Sequence, residues 1–161
     1  MTCYQWPTPI LQTSFKEKIY SFDRLYGRIK KIELFFEEIF SMPTLLLPSG
    51  RACISAVLKI NNISRENIVW APKWSSHCVW NNITYFSTPS ISLKDHPNVF
   101  LNVHKWGYTH YLNTEYNNCE KCIVIEDSVD SLIDEKYALF PNNGDYEIIS
   151  LNNSRASVAV K

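Results

Sequence analysis

A chain of 161 residues, 45% hydrophobic and 20% charged, has room for one domain around one buried core. Its sixteen basic and sixteen acidic side chains cancel, which leaves no bulk electrostatic case for nucleic acid or an anionic membrane as partner. No run approaches the roughly 20 apolar residues needed to cross a bilayer, and the start at Met1 lacks the basic and apolar stretches of a secretory signal.

The five cysteines form no disulfide framework. Cys53 and Cys122 lie in apolar segments and are expected to be buried thiols. Cys119 and Cys122 have CxxC spacing, but no second pair completes a zinc site, so no metal is expected. A reducing, cytoplasmic setting fits this usage best.

Phe15 to Phe40 carries Leu25, Ile29, Ile32, Phe35, Phe36 and Ile39 at helical spacing, which predicts an amphipathic packing helix. Gly27 weakens the case for a single unbroken helix. Leu45–Leu47 reads as a short buried strand, then Pro48-Ser49-Gly50 as a turn, then a helix with Ala52, Cys53, Ala56, Val57 and Ile60. Further strands are predicted at Ile68–Ala71, Val99–Val103, Cys122–Ile125, Tyr146–Leu151 and Ser157–Val160, with a helix from Ser76 to Ile83. Strands alternating with helices imply an α/β fold with a parallel-dominated sheet flanked by helices. Residues 1–44 read as an N-terminal helical segment and 45–161 as the body of the same domain. In such sheets ligands gather beyond the carboxyl ends of the strands. Ser49, Pro72, His104, Asp127 and Asn152 all fall at or just after such ends, which predicts one shared site.

Four segments carry chemistry. Ser49-Gly50-Arg51-Ala52 opens a helix, where free amides suit a phosphate, although a plain N-cap and turn would look the same. Glu126-Asp127-Ser128-Val129-Asp130 follows a buried strand, where a carboxylate suits a cationic ring nitrogen or simply caps the next turn. Ser150 to Arg155 pairs a hydroxyl with a guanidinium, which suits a phosphate or carboxylate or merely sits at the surface. Pro72-Lys73-Trp74-Ser75-Ser76-His77-Cys78 brings aromatic and hydroxyl groups together after a strand, with Trp74 expected mainly in the core.

In chain order, these segments and His104-Lys105-Trp106-Gly107 resemble the pyridoxal-phosphate (PLP) sugar aminotransferases of the DegT/DnrJ/EryC1/StrS family. Val124 to Leu132 is similar to that family's V-I-E-D-A-A-Q-S-L at six of nine positions. The resemblance implies the first part of a fold-type I PLP large domain, truncated relative to complete members. It implies Gly50, Arg51 and Ser150 at the cofactor phosphate and Asp127 at the pyridinium nitrogen. Asp130 falls near the phenolic oxygen, where the family carries Gln or His. Ser76 falls where an aromatic ring stacks, so His77 or Trp74 would have to substitute. No chemistry is assigned to His104.

Arg155 stands where the family places the lysine that holds the cofactor. A guanidinium stays protonated and cannot attack an aldehyde, so no catalytic residue is assigned. The resemblance therefore implies an aminotransferase homologue, of the kind acting on keto-sugar nucleotides in polysaccharide or amino-sugar biosynthesis. PLP would bind non-covalently at most, and the chain would be inactive alone. The alternative is a non-catalytic binding or partner module using the same pocket or an open sheet edge. Expected partners are a small phosphorylated ligand and either a second copy or a complementing chain. A fragment, half of a split enzyme and a shortened homologue all fit the length. A sheet stopping near Arg155 is expected to leave an uncovered edge.

Overall fold

The computed structural model describes residues 15–104, 122–130, 144–151 and 157–160. Its elements in chain order are α1 (Phe15–Phe40), β1 (Thr44–Leu47), α2 (Gly50–Ile60), β2 (Ile68–Trp70), α3 (His77–Phe86), β3 (Thr88–Ser90), β4 (Val99–Val103), β5 (Ile123–Ser128), β6 (Tyr146–Ser150) and β7 (Ser157–Val160), with a 3-10 turn at Leu93–Asp95. All seven strands form one sheet in the order β1-β7-β6-β5-β4-β2-β3. The run from β6 to β3 is parallel, whereas β7 is antiparallel to both β6 and β1. The expected α/β architecture is present.

Pleat alternation divides the sheet's residues between two faces. Leu101 pairs with Ile125 and Ile125 with Tyr146, and these lie on the face packed against α2 and α3. Cys53, Ile54, Val57 and Leu58 of α2 and Val79 and Ile83 of α3 complete that core. The other face carries Asn102, Glu126 and Glu147 in adjacent register, all buried. Burial of this many polar groups requires partners. Glu126 Oε2 accepts Asn102 Nδ2 at 2.9 Å and lies 2.7 Å from His104 Nε2, while Ser128 Oγ donates to Glu147.

Several expectations change. Gly27 does not interrupt α1, because nothing crowds that position and one glycine costs only about 1 kcal/mol in a helix. Phe36, Ile39 and Phe40 pack on Ile149, Met42, Leu46 and Leu151, whereas Leu25, Ile32 and Phe35 stay exposed. The predicted apolar stripe is therefore only partly used for packing. β3 escapes detection because Thr88-Pro89-Ser90 is short and contains proline, which sheets tolerate at an edge. β5 continues past Ile125 through Glu126, Asp127 and Ser128, because β4 and β6 hold it from both sides.

The expected open edge beside the C-terminal strand does not form. β7 lies inside the sheet between β6 and β1. The outer edge is β1, and α1 covers it: Glu33 Oε1 accepts the Leu46 amide and Glu37 Oε1 that of Thr44. Cys53 is the buried free thiol expected. Cys122 is not, being half-buried and disulfide-bonded.

Candidate functional site

A cleft of about 410 Å³ opens at the carboxyl ends of the parallel strands, within the ~300–1,000 Å³ typical of small-molecule sites. Its walls come from four places. Ser49, Gly50 and Arg51 enter at the start of α2, Trp74, Ser75, Ser76 and Cys78 at the start of α3, Val103 ends β4, and Asp127, Val129 and Asp130 lie on or after β5.

The α2 end is built by its cap. Ser49 is extended, and its Oγ accepts the Ala52 amide at 3.2 Å. Its carbonyl accepts the Cys53 amide. The Gly50 and Arg51 amides begin the helix and have no acceptor within it, so they are free for an anion. Asn82 Nδ2 donates to the Arg51 carbonyl and Ser55 Oγ to Asn82 Oδ1, which ties α2 to α3.

Asp127 faces this cleft because it shares the pleat of Val103 and Ile148, while Glu126 points to the opposite face. It is 3% exposed. Burial pushes its carboxyl up from 3.8 to about 6, the Val129 amide opposes that rise, Asp130 adds to it, and His104 opposes it. His104 also donates its backbone amide to the Asp127 carbonyl at 3.0 Å. Among the described residues no lysine or arginine pairs with the Asp127 side chain. A buried carboxylate in that position favours a cationic guest.

Five of the predicted site residues, Gly50, Arg51, Ser76, Asp127 and Asp130, meet in this one cleft. Two do not line it: His77 is exposed at the first position of α3, and Ser150 is half-buried at the end of β6. Trp74 leaves the core and contributes the cleft's one aromatic ring among the described residues, 39% exposed. Sequence reasoning missed Ser75 and Cys78, though both lie in the turn already singled out. Arg155, Lys105, Trp106 and Gly107 lie outside the described residues.

Residues 32–159 match a family model described as "Putative PLP-dependent aminotransferase". The chain belongs to this PLP-dependent aminotransferase family. Solved structures carry the same fold. The "Putative sugar aminotransferase Spr1654" of Streptococcus pneumoniae, in its PMP form, superposes with a TM-score of 0.62 at 14% identity, covering 82% of this chain and 44% of its own. NtdA of Bacillus subtilis with bound PMP gives 0.67 at 16% identity, covering 83% and 36%. DesV of S. venezuelae gives 0.64 at 12% identity, covering 83% and 44%. The chain thus spans less than half of each of these proteins. No curated protein matches it. At such identities the solved structures bear out the fold, and the family model bears out the resemblance to PLP-dependent aminotransferases.

The donor set fits a PLP-type group on this structure's own terms. Free amides at Gly50 and Arg51 suit a phosphate, Asp127 suits a ring cation, and Trp74 offers a stacking face. Ser75 adds a buried Oγ with no partner among the described residues. None of the described His, Cys, Asp and Glu residues form a group able to hold a metal ion. No described helix is long and apolar enough to cross a membrane.

Proposed function

We propose that the chain binds PLP non-covalently in the cleft and does not carry out amino transfer by itself. The observation that carries this reading is the meeting of buried Asp127 with the amino end of α2 in one hollow at the strand ends. When bound, PLP supplies an electron sink for chemistry at amine-bearing carbon. Gly50 and Arg51 would hold the phosphate, with Ser150 a candidate beyond the lining residues. Asp127 would keep the ring nitrogen protonated. Trp74, beside Ser76 and His77, would cover the ring. Asp130 would sit near the phenolic oxygen and disfavour its anion.

Amine capture is the missing element. By the sequence resemblance Arg155 falls where the family places its lysine, and a guanidinium does not give up its proton at neutral pH. The finer reading follows the sequence resemblance: amino transfer by the complete enzyme to a keto-sugar nucleotide, in a cytoplasmic polysaccharide or amino-sugar route. The test mixes purified chain with PLP, measures retention after gel filtration, and treats the complex with borohydride. Retention without a lysine adduct supports the reading. A borohydride-stable adduct on one specific lysine overturns the non-covalent claim, and no retention overturns the binding claim.

A second reading is a partner module. It is favoured by Leu25, Tyr26, Ile32, Leu34 and Phe35, exposed along α1, which suit docking to a second copy or a complementing chain. Light scattering tests the second-copy form of this reading: a monomer at all concentrations removes it, and a concentration-dependent dimer supports it.

A further inference from the structure

Two free thiols stand among the described residues, in opposite environments. Cys53 is fully buried in α2, and burial, reinforced by the charge of Asp127, pushes its thiol up to about 12. Such a thiol is inert. Cys78 is exposed in the first turn of α3 and lines the cleft, as Arg51 does. Its Sγ lies 3.0 Å from Ser76 Oγ. Ser76, the N-cap residue, makes no side-chain bond to the helix amides and engages the sulfur instead. The same wall holds a second, independent feature. Ser75 is 8% exposed, and its buried Oγ has no hydrogen-bond partner among the described residues. A buried hydroxyl without a partner in a cleft wall suits a polar ligand group. The accessible thiol therefore opens onto space built for a small polar guest.

We propose that Cys78 is a covalent modification site that controls access to the cleft: a low-molecular-weight disulfide exchanges there, and the mixed disulfide excludes the phosphorylated ligand. The exclusion rests on the PLP-binding reading; the modification itself does not. In the exchange, the Cys78 sulfur loses its proton and attacks one sulfur of the disulfide. The Cys78–sulfur bond forms as the old sulfur–sulfur bond breaks. Cys78 is oxidised, one half of the disulfide is reduced, and the departing thiolate takes up the proton. An adduct of tripeptide size competes for the same 410 Å³ that a phosphorylated pyridine would occupy.

The test uses the full chain, glutathione disulfide as reagent, and pyridoxine phosphate, which lacks an aldehyde, as ligand. Peptide mapping is expected to place glutathione on Cys78 well before Cys53. Affinity for pyridoxine phosphate is expected to fall about tenfold or more on modification and to return with a reductant. In Cys78→Ser the same treatment leaves affinity where it started, whatever its starting value. Bound pyridoxine phosphate is expected to slow modification of Cys78. Equal modification of Cys53 and Cys78, or a modified chain with undiminished affinity, overturns the proposal. An untreated chain that never binds the ligand overturns the PLP reading and the exclusion with it, while the mapping still judges the thiol.

Discussion

Glu33, buried on α1, accepts the backbone amide of Leu46 at 3.0 Å on the outer edge of β1. Lys30 holds its other oxygen at 3.4 Å, and Glu37 repeats the contact at Thr44. In β1 alternate amides point away from β7, and these are the ones the helix satisfies. Edge amides left bare template pairing with other chains. Glu33→Ala is expected to cost about 1–3 kcal/mol in urea unfolding, since it strips a charged acceptor from a half-buried amide. Glu33→Gln keeps an acceptor and is expected to recover at least half of that loss. Equal losses in both variants would refute the capping role.

On the sheet's polar face, His104→Ala removes a hydrogen-bond partner of the Glu126 carboxylate and leaves Asn102 on the same oxygen. Both groups are essentially fully buried. A loss of about 3 kcal/mol is expected by denaturant titration, the size typical of stranding one member of a buried pair. Glu126→Gln, which retains an acceptor, should cost less.

Gly144 packs directly on this cluster. A Cβ there would lie 2.8 Å from Glu126 Cγ and 2.9 Å from the Val124 carbonyl. The backbone atom cannot yield easily, so Gly144→Ala is expected to destabilise by about 1–3 kcal/mol. A melting temperature equal to that of the parent chain would contradict this geometry.

Asp127 makes stability depend on pH in the direction opposite to a paired carboxylate. Its folded value, about 6, lies above the ordinary 3.8. Well below pH 4 both states are protonated and the group costs nothing. As pH rises from about 4 to about 6 the unfolded chain releases the proton first, so the folded state loses on the order of 2–3 kcal/mol and then levels off. Asp127→Asn is expected to remove this component. Urea unfolding of both chains across that window checks it: the variant gains relative to the parent as pH rises, and a constant difference would count against the assignment.

Trp74 offers the cleft its ring while remaining 39% exposed. Trp74→Ala is therefore expected to weaken pyridoxine phosphate binding by up to about tenfold, matching ~0.5–1.5 kcal/mol of stacking, with little loss of fold stability. Isothermal titration read against the unfolding curve separates the two effects. A large stability loss with unchanged affinity would return Trp74 to a packing role.

The alternation of short apolar runs with helical spacing was enough to establish the α/β class, most strands, and the position of Ser49 and Asp127 at strand ends, whereas Gly50, Arg51, Ser76 and Asp130 were named by the family resemblance. Those features are local: turn chemistry and hydrophobic period are written in consecutive residues. Which of two adjacent carboxylates faces the cleft is not written locally: the family resemblance named Asp127, and the pleat that puts it there comes from β4 and β6 on either side of β5. The placement of β7 between β1 and β6, and of Glu33 against Leu46, depends on pairing between segments far apart in the chain. Neither leaves a periodic trace. Trp74 reads as core by composition alone, and only the junction of α2, α3 and the strand ends turns it toward the hollow. The residues themselves set the chemistry on offer, and long-range packing decided which groups meet and which are buried apart.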